Sequence, residues 1–174
     1  MPETGAHLIA KAPHRGPNAW LFALYPGLTD DNISQLESDI KIPFNEDYKI
    51  FLKQMNGFHF FVGVFSMNGF RHNYKRTGDA IWQPYDIITP NTIERPKDTP
   101  PHYLYIGSYN WDGSSLCMDT KTNKVYRCKR WSAEILNTWE NLKEMLTLEA
   151  ERIVKHFDEF GKEFDSDIPT IPSA

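Results

Sequence analysis

At 174 residues the chain is long enough for one domain with a substantial core and too short for two comfortable ones. Hydrophobic residues make up 40% and charged residues 24%, the ordinary soluble balance, while an aromatic share of 14% is high and has to be placed somewhere. A formal net charge of −4 leaves no broad basic footprint for nucleic acid, and no apolar run reaches the ~20 residues of a membrane span.

The start, Met1-Pro2-Glu3-Thr4-Gly5, is acidic and polar where an export signal needs a basic stretch before an apolar one, so the expected location is the cytoplasm. Pro2, Gly5, Pro13, Gly16 and Pro17 precede Pro26-Gly27 and read as an irregular arm. That arm either packs on the domain through Trp20, Phe22 and Tyr25 or stays partly mobile. Thr29-Asp30-Asp31-Asn32 then offers helix caps, with carboxylates suited to the helix dipole. Ile33, Leu36 and Ile40 continue it as one apolar stripe. After Pro43, Asn45 caps a second helix with Tyr48, Phe51, Leu52 and Met55 on one face, and Asn56-Gly57 is expected to stop it.

Phe58 to Phe65 is aromatic and β-branched, with Gly63 inside it, and reads as one strand. Residues 66–102 are loop-rich, with Ile81-Trp82 and Tyr85-Asp86-Ile87-Ile88 as short edge strands or turns of helix. Tyr103 to Gly107 is a strand, Asp112-Gly113 a hairpin turn, and Ser115 to Asp119 the return strand. Lys124 to Cys128 forms a third, completing an antiparallel meander. A tight turn on Thr122-Asn123 would set Cys117 opposite Cys128; a bulge at Asn123 would separate them, and the sequence leaves both open. A long helix is expected after Asn137 or Thr138 towards Phe160. Nine acidic against four basic residues between Glu140 and Asp167 make it an acidic face. Thr170 to Ala174 reads as a frayed end.

The order α-α-β, loop, β-β-β-α points to an α+β fold: a mostly antiparallel sheet with a β-meander, two N-terminal helices and one long C-terminal helix. The expected organisation is an arm over 1–27, a single domain over 28–165 and a tail over 166–174.

Two stretches carry a family resemblance. One is Leu28-Thr29-Asp30-Asp31-Asn32-Ile33-Ser34-Gln35-Leu36-Glu37 with Ile42-Pro43-Phe44-Asn45-Glu46-Asp47-Tyr48-Lys49-Ile50-Phe51-Leu52 and Asn56-Gly57. The other is Ile106-Gly107-Ser108, Asp112-Gly113, Leu116-Cys117-Met118-Asp119 and Lys124-Val125-Tyr126. Over roughly residues 28–148 the chain resembles the SUKH superfamily of Smi/Knr-like proteins. It departs from the family pattern in the offset between Pro43 and Tyr48 and in Asn123, where a turn glycine is usual. The resemblance implies a SUKH-like fold and a non-catalytic protein-binding role. In bacteria that role is an immunity protein neutralising a cognate toxin, often a nuclease; the alternative is a regulatory or scaffold protein that binds a signalling partner.

The residues themselves offer little catalysis. Glu37 reads as a structural carboxylate bonding a backbone group or a cation. Cys117 with His59, His72 or His102 could make a thiol–imidazole pair, but it lies inside a strand with no oxyanion motif beside it. The six histidines show no metal-ligand spacing, so neither metal nor other cofactor is expected. The two cysteines, Cys117 and Cys128, read as small buried hydrophobes.

The aromatics speak louder. Trp82, Tyr85, Tyr109 and Trp111 fall in or near turns, where they act either as interface anchors or as the lid of a secondary core under the long loop. Carboxylates near them, Asp79, Asp86 and Asp112, or the acidic last helix, would suit a basic nuclease cleft. The candidate protein-binding residues are therefore Trp82, Tyr85, Tyr109, Trp111, Asp79 and Asp112. The expected partner is a protein, with no nucleic acid or membrane, and the expected state is a monomer or weak dimer.

Overall fold

The computed structural model describes residues 2–75 and 77–173. Thr29 and Asn45 cap their helices as their side chains suggest. Thr29 Oγ1 accepts from the Asn32 amide at 3.2 Å, opening α1 (Asp30–Ile40), and Asn45 Oδ1 accepts from the Tyr48 amide at 2.9 Å, opening α2 (Glu46–Gln54). Glu37 joins the two: its Oε1 accepts from the Phe44 amide at 2.7 Å and faces Lys49 Nζ at 2.9 Å. Both a backbone group and a cation are thus its partners.

Among the described residues eight strands form one sheet in chain order, each antiparallel to the next. They are β1 (His7–Lys11), β2 (Trp20–Pro26), β3 (Met55–Phe60), β4 (Phe65–Met67), β5 (Tyr103–Tyr109), β6 (Ser115–Asp119), β7 (Val125–Cys128) and β8 (Ile135–Trp139). A four-residue α3 (Ile88–Asn91) lies in the long loop, after a 3-10 turn over Gly78–Ile81, and α4 (Leu142–Val154) follows the sheet. The fold is α+β with a meander sheet, two N-terminal helices and a C-terminal helix. Ile33, Leu36, Tyr48, Leu52, Met145 and Ile153 of the helices share one buried core with Phe58, Phe65, Ile106, Leu116 and Met118 of the sheet.

Several sequence expectations need correction. The segment before residue 28 is not an irregular arm: β1 and β2 lie in it, and Pro13, Gly16 and Pro17 occupy the turn between them. The run from Phe58 to Phe65 is not one strand, because Phe61, Val62 and Gly63 all take positive φ (47°, 57° and 86°) and turn the chain into the β3–β4 hairpin. Two of those residues are ordinary strand formers, and the stacking of Phe61 on Phe157 at 4.0 Å helps offset the strain. The last helix starts later and ends earlier than expected, since Ile135–Trp139 pairs with β7 and Asn141 is the true cap, accepting from the Glu144 amide at 2.9 Å. Up to Ser173 the C-terminal end is not frayed, since Thr170 and Pro172 are buried; Ala174 lies outside the described residues.

Two irregularities shape the sheet. Asn123, at φ 65°, shifts the β6–β7 register so that Cys117 faces Tyr126 and Cys128 faces Ser115. The cysteines are therefore diagonal neighbours, packed among Tyr103, Tyr105 and Tyr126. In β5 the register jumps between Tyr105 and Gly107. That bulge resets the alternation, so Leu104, Ile106 and Tyr109 all enter the core while Tyr105 and Ser108 face the other way. Past the end of β4, the Asn91 side chain takes over the open edge of β5, donating to Tyr105 O and accepting from Tyr105 N, each at 2.8 Å.

Candidate protein-binding surface

The sheet face away from the main core carries two small clusters. Ala6, Ala23 and Tyr25 pack with Leu8 and Trp82, and Tyr105, Cys117, Tyr126 and Cys128 pack with Tyr103. Two adjoining clefts, about 540 and about 510 Å³, are floored in part by Gly107, Ser108 and Gly113. They share Tyr85 and Arg130. The larger adds Asp86, Glu94, Pro96 and Trp131; the smaller adds Trp111 and Asp112. Gly113 makes room for Arg130: a Cβ there would sit 2.9 Å from the Arg130 Cδ. The Arg130 guanidinium in turn lies 5.5 Å from the Trp131 ring centre.

The six candidate residues separate on this map. Tyr85 is 50% exposed and Trp111 43% exposed, and both border the clefts. Trp82 is half-buried against the Tyr25 cluster, so it lids a secondary core. Tyr109 is not displayed at all: it is 1% exposed, stacks on Phe65 at 5.3 Å and donates to Glu149 Oε2 at 2.6 Å. The bulge in β5 turns it inward. Asp79 is exposed and accepts from the Glu3 amide at 3.0 Å, away from the clefts.

Asp112 lies at the cleft but is committed internally, with Arg127 Nη2 2.7 Å from its Oδ2. Burial would raise its carboxyl, yet hydrogen bonds from Ser114 and the Arg127 charge outweigh that and hold it below the usual range. Asp86 is similarly occupied, its Oδ2 accepting from the Thr89 amide and hydroxyl and from the Tyr74 hydroxyl. Nor is the last helix a plain solvated acidic face. Glu149 is buried between Tyr109 and Arg152, whose Nη2 is 2.6 Å from its Oε2.

Sequence reasoning missed Arg130 and Trp131. Trp131 is 62% exposed, at φ 60°, in the turn between β7 and β8. An Arg-Trp pair in the turn after β7, among Lys129, Ser132, Ala133 and Glu134, was the available signal.

Cys117 and His59 are both taken up by packing. Cys117 is fully buried, and burial pushes its thiol well up, with the neighbouring Cys128 adding to the rise. His59 Nδ1 lies 2.8 Å from Ser66 Oγ, but the two are direct cross-strand partners and Ser66 has no exposure. Burial holds the His59 imidazole down to about 4, which makes it a weak base at neutral pH. Among the described residues no group of three or more His, Cys, Asp or Glu could hold a metal ion, and no helix is long and apolar enough to cross a membrane.

Taken together, the fold and this surface define a class: an α+β domain with helices on a meander sheet and a loop-built aromatic cleft on the sheet's other face. Residues 27–148 match the model of the SMI1/KNR4 family (SUKH-1), and the chain belongs to that family. None of the curated proteins compared with it matches.

Proposed function

We propose that the protein is a stoichiometric, non-catalytic binder that neutralises a cognate toxin, and that it engages the toxin with the rim of the twin cleft. SUKH-1 membership supports the immunity role. The observation that carries the choice of surface is the grouping of Tyr85, Trp111, Arg130 and Trp131 around two adjoining clefts. Tyr, Trp and Arg are the residue types that dominate binding energy at interfaces, because each buries a large rigid area while keeping a polar handle. The internal commitment of Asp86 and Asp112 moves the weight of recognition from acidic residues to aromatic ones. The partner is a protein, and the site needs no cofactor.

Co-expression with each toxin encoded beside the gene tests the role. One of them should be tolerated only when the intact protein is present. In that pair, Trp111→Ala and Trp131→Ala should each weaken binding by tenfold or more, read by calorimetry, without moving the unfolding midpoint. Failure of the protein to protect against any of the adjacent toxins would count against immunity. Full affinity in a Tyr85→Ala/Trp111→Ala/Trp131→Ala triple variant would move the interface elsewhere.

A further inference from the structure

We propose that Arg127 and the C-terminal segment Thr170–Ser173 form a clamp that sets the Trp111 hairpin, so that partner affinity depends on residues that never touch the partner. This rests on the reading that Trp111 belongs to the binding surface.

Arg127 lies in β7 with its side chain only 4% exposed. Its guanidinium is directed three ways. Towards the β5–β6 hairpin, Nε donates to Ser114 Oγ at 2.9 Å and Nη2 pairs with Asp112 Oδ2 at 2.7 Å. Towards β8, Nη1 donates to Asn137 Oδ1 at 2.8 Å. Towards the tail, the same Nη1 donates to Pro172 O at 2.8 Å. Asn137 completes the bracket by donating to Ser173 O at 2.7 Å.

A second line starts at the same tail. Arg152 Nη2 donates to Thr170 O at 2.8 Å and to Glu149 Oε2 at 2.6 Å, and that same oxygen accepts from the Tyr109 hydroxyl at 2.6 Å. The Arg127 guanidinium also lies 5.9 Å from the centre of the Tyr109 ring. The tail therefore reaches both flanks of Trp111: Tyr109 on one side through Arg152 and Glu149, Asp112 and Ser114 on the other through Arg127.

Charge-assisted bonds of this kind are strong where water is excluded. Removing the tail takes carbonyl acceptors from both arginines and admits water to them, which weakens their hold on the hairpin. The segment lies outside the family-matched residues 27–148, so the family pattern does not prescribe this arrangement.

The test uses the full chain, a version ending at Asp167, and the full chain with Asp112→Asn. Amide exchange is read at Asn110–Ser114 against Leu116 and Met118 in β6. The clamp predicts that both variants speed exchange in the hairpin tenfold or more while the β6 amides change little. It also predicts a reciprocal effect: carboxypeptidase should remove the residues after Thr170 faster from Asp112→Asn than from the parent. A general loss of stability would speed β6 equally and overturn the proposal, as would unchanged hairpin exchange. Should the shortened chain fail to fold, tail release in Asp112→Asn decides the matter alone, because Asp112 also accepts the Ser114 amide within the hairpin at 2.9 Å. With a cognate toxin in hand, loss of affinity on Trp111→Ala but not on shortening would sink the clamp and leave the binding surface standing. No loss on Trp111→Ala would remove Trp111 from the surface, and with it the role claimed for the clamp in affinity.

Discussion

His59 sits beneath the ring of Tyr85, 4.2 Å between centroids, with Tyr25 on another side at 5.4 Å and Ser66 across the strand. Burial is the main reason its imidazole stays neutral down to about 4; the positive charge of Arg71 adds to this, and a bond to the Gln83 carbonyl opposes it. In the unfolded chain an imidazole titrates near its ordinary 6.5. Between 6.5 and about 4 the unfolded chain takes up a proton that the folded one refuses, so stability is lost as pH falls through that window. The loss approaches ~1.4 kcal/mol per pH unit and ends near the folded value. Thermal unfolding followed from pH 7 to 4.5 should show this decline, and His59→Gln should flatten most of it. What remains should come chiefly from His156, which burial and Arg152 also lower. An unchanged slope in His59→Gln would mean that the imidazole is reached by water. The pattern of rings and carboxylates was visible residue by residue, but whether Tyr109 faced out was not. One bulge in β5 decided that, and a bulge leaves no mark in hydrophobic alternation.

At the level of elements, caps and stripes were the legible part. Thr29 and Asn45 start their helices because a side-chain oxygen there satisfies amides that the first turn leaves free. Asn56-Gly57 was legible as a break and misread as to kind. Met55 is already extended (φ −154°, ψ 121°), so α2 runs straight into β3. Asn56 ties that strand to Phe70 by bonds of 2.9 and 2.6 Å. Gly57 has φ 78°, and a Cβ on it would lie 2.5 Å from the Met67 carbonyl oxygen of the neighbouring strand. Gly57→Ala therefore combines left-handed strain with a backbone clash that no side chain can relieve. A loss of about 2 kcal/mol or more is expected in urea unfolding; a loss under about 0.5 kcal/mol would mean that β3 and β4 separate readily there.

For the molecule as a whole, the family match and the folding unit differ in extent. The match covers residues 27–148, yet β2 covers one edge of β3, with Phe22 edge-on to Phe60 and Phe61 at 5.4 and 5.0 Å. Beyond residue 148, Ile153 and Phe157 complete the core. A chain trimmed to residues 27–148 should lose its cooperative thermal transition and aggregate, because it exposes an aromatic strand edge and opens the core. Circular dichroism and light scattering would read both; a soluble, cooperatively unfolding fragment would show that the flanking segments only decorate the domain.

The sequence by itself determined the class of fold, both N-terminal helices with their caps, the three-stranded run at its centre, and the family. Those follow from local chemistry: periodicity, capping oxygens and turn residues act over a few positions. Only the tertiary structure decided that residues 7–26 join the sheet, that the chain turns on Phe61 and Val62, and that the tail is pinned by two arginines. It also decided which aromatics line the clefts. In each case the deciding partner is far along the chain, and its energy offsets a local preference that read the other way.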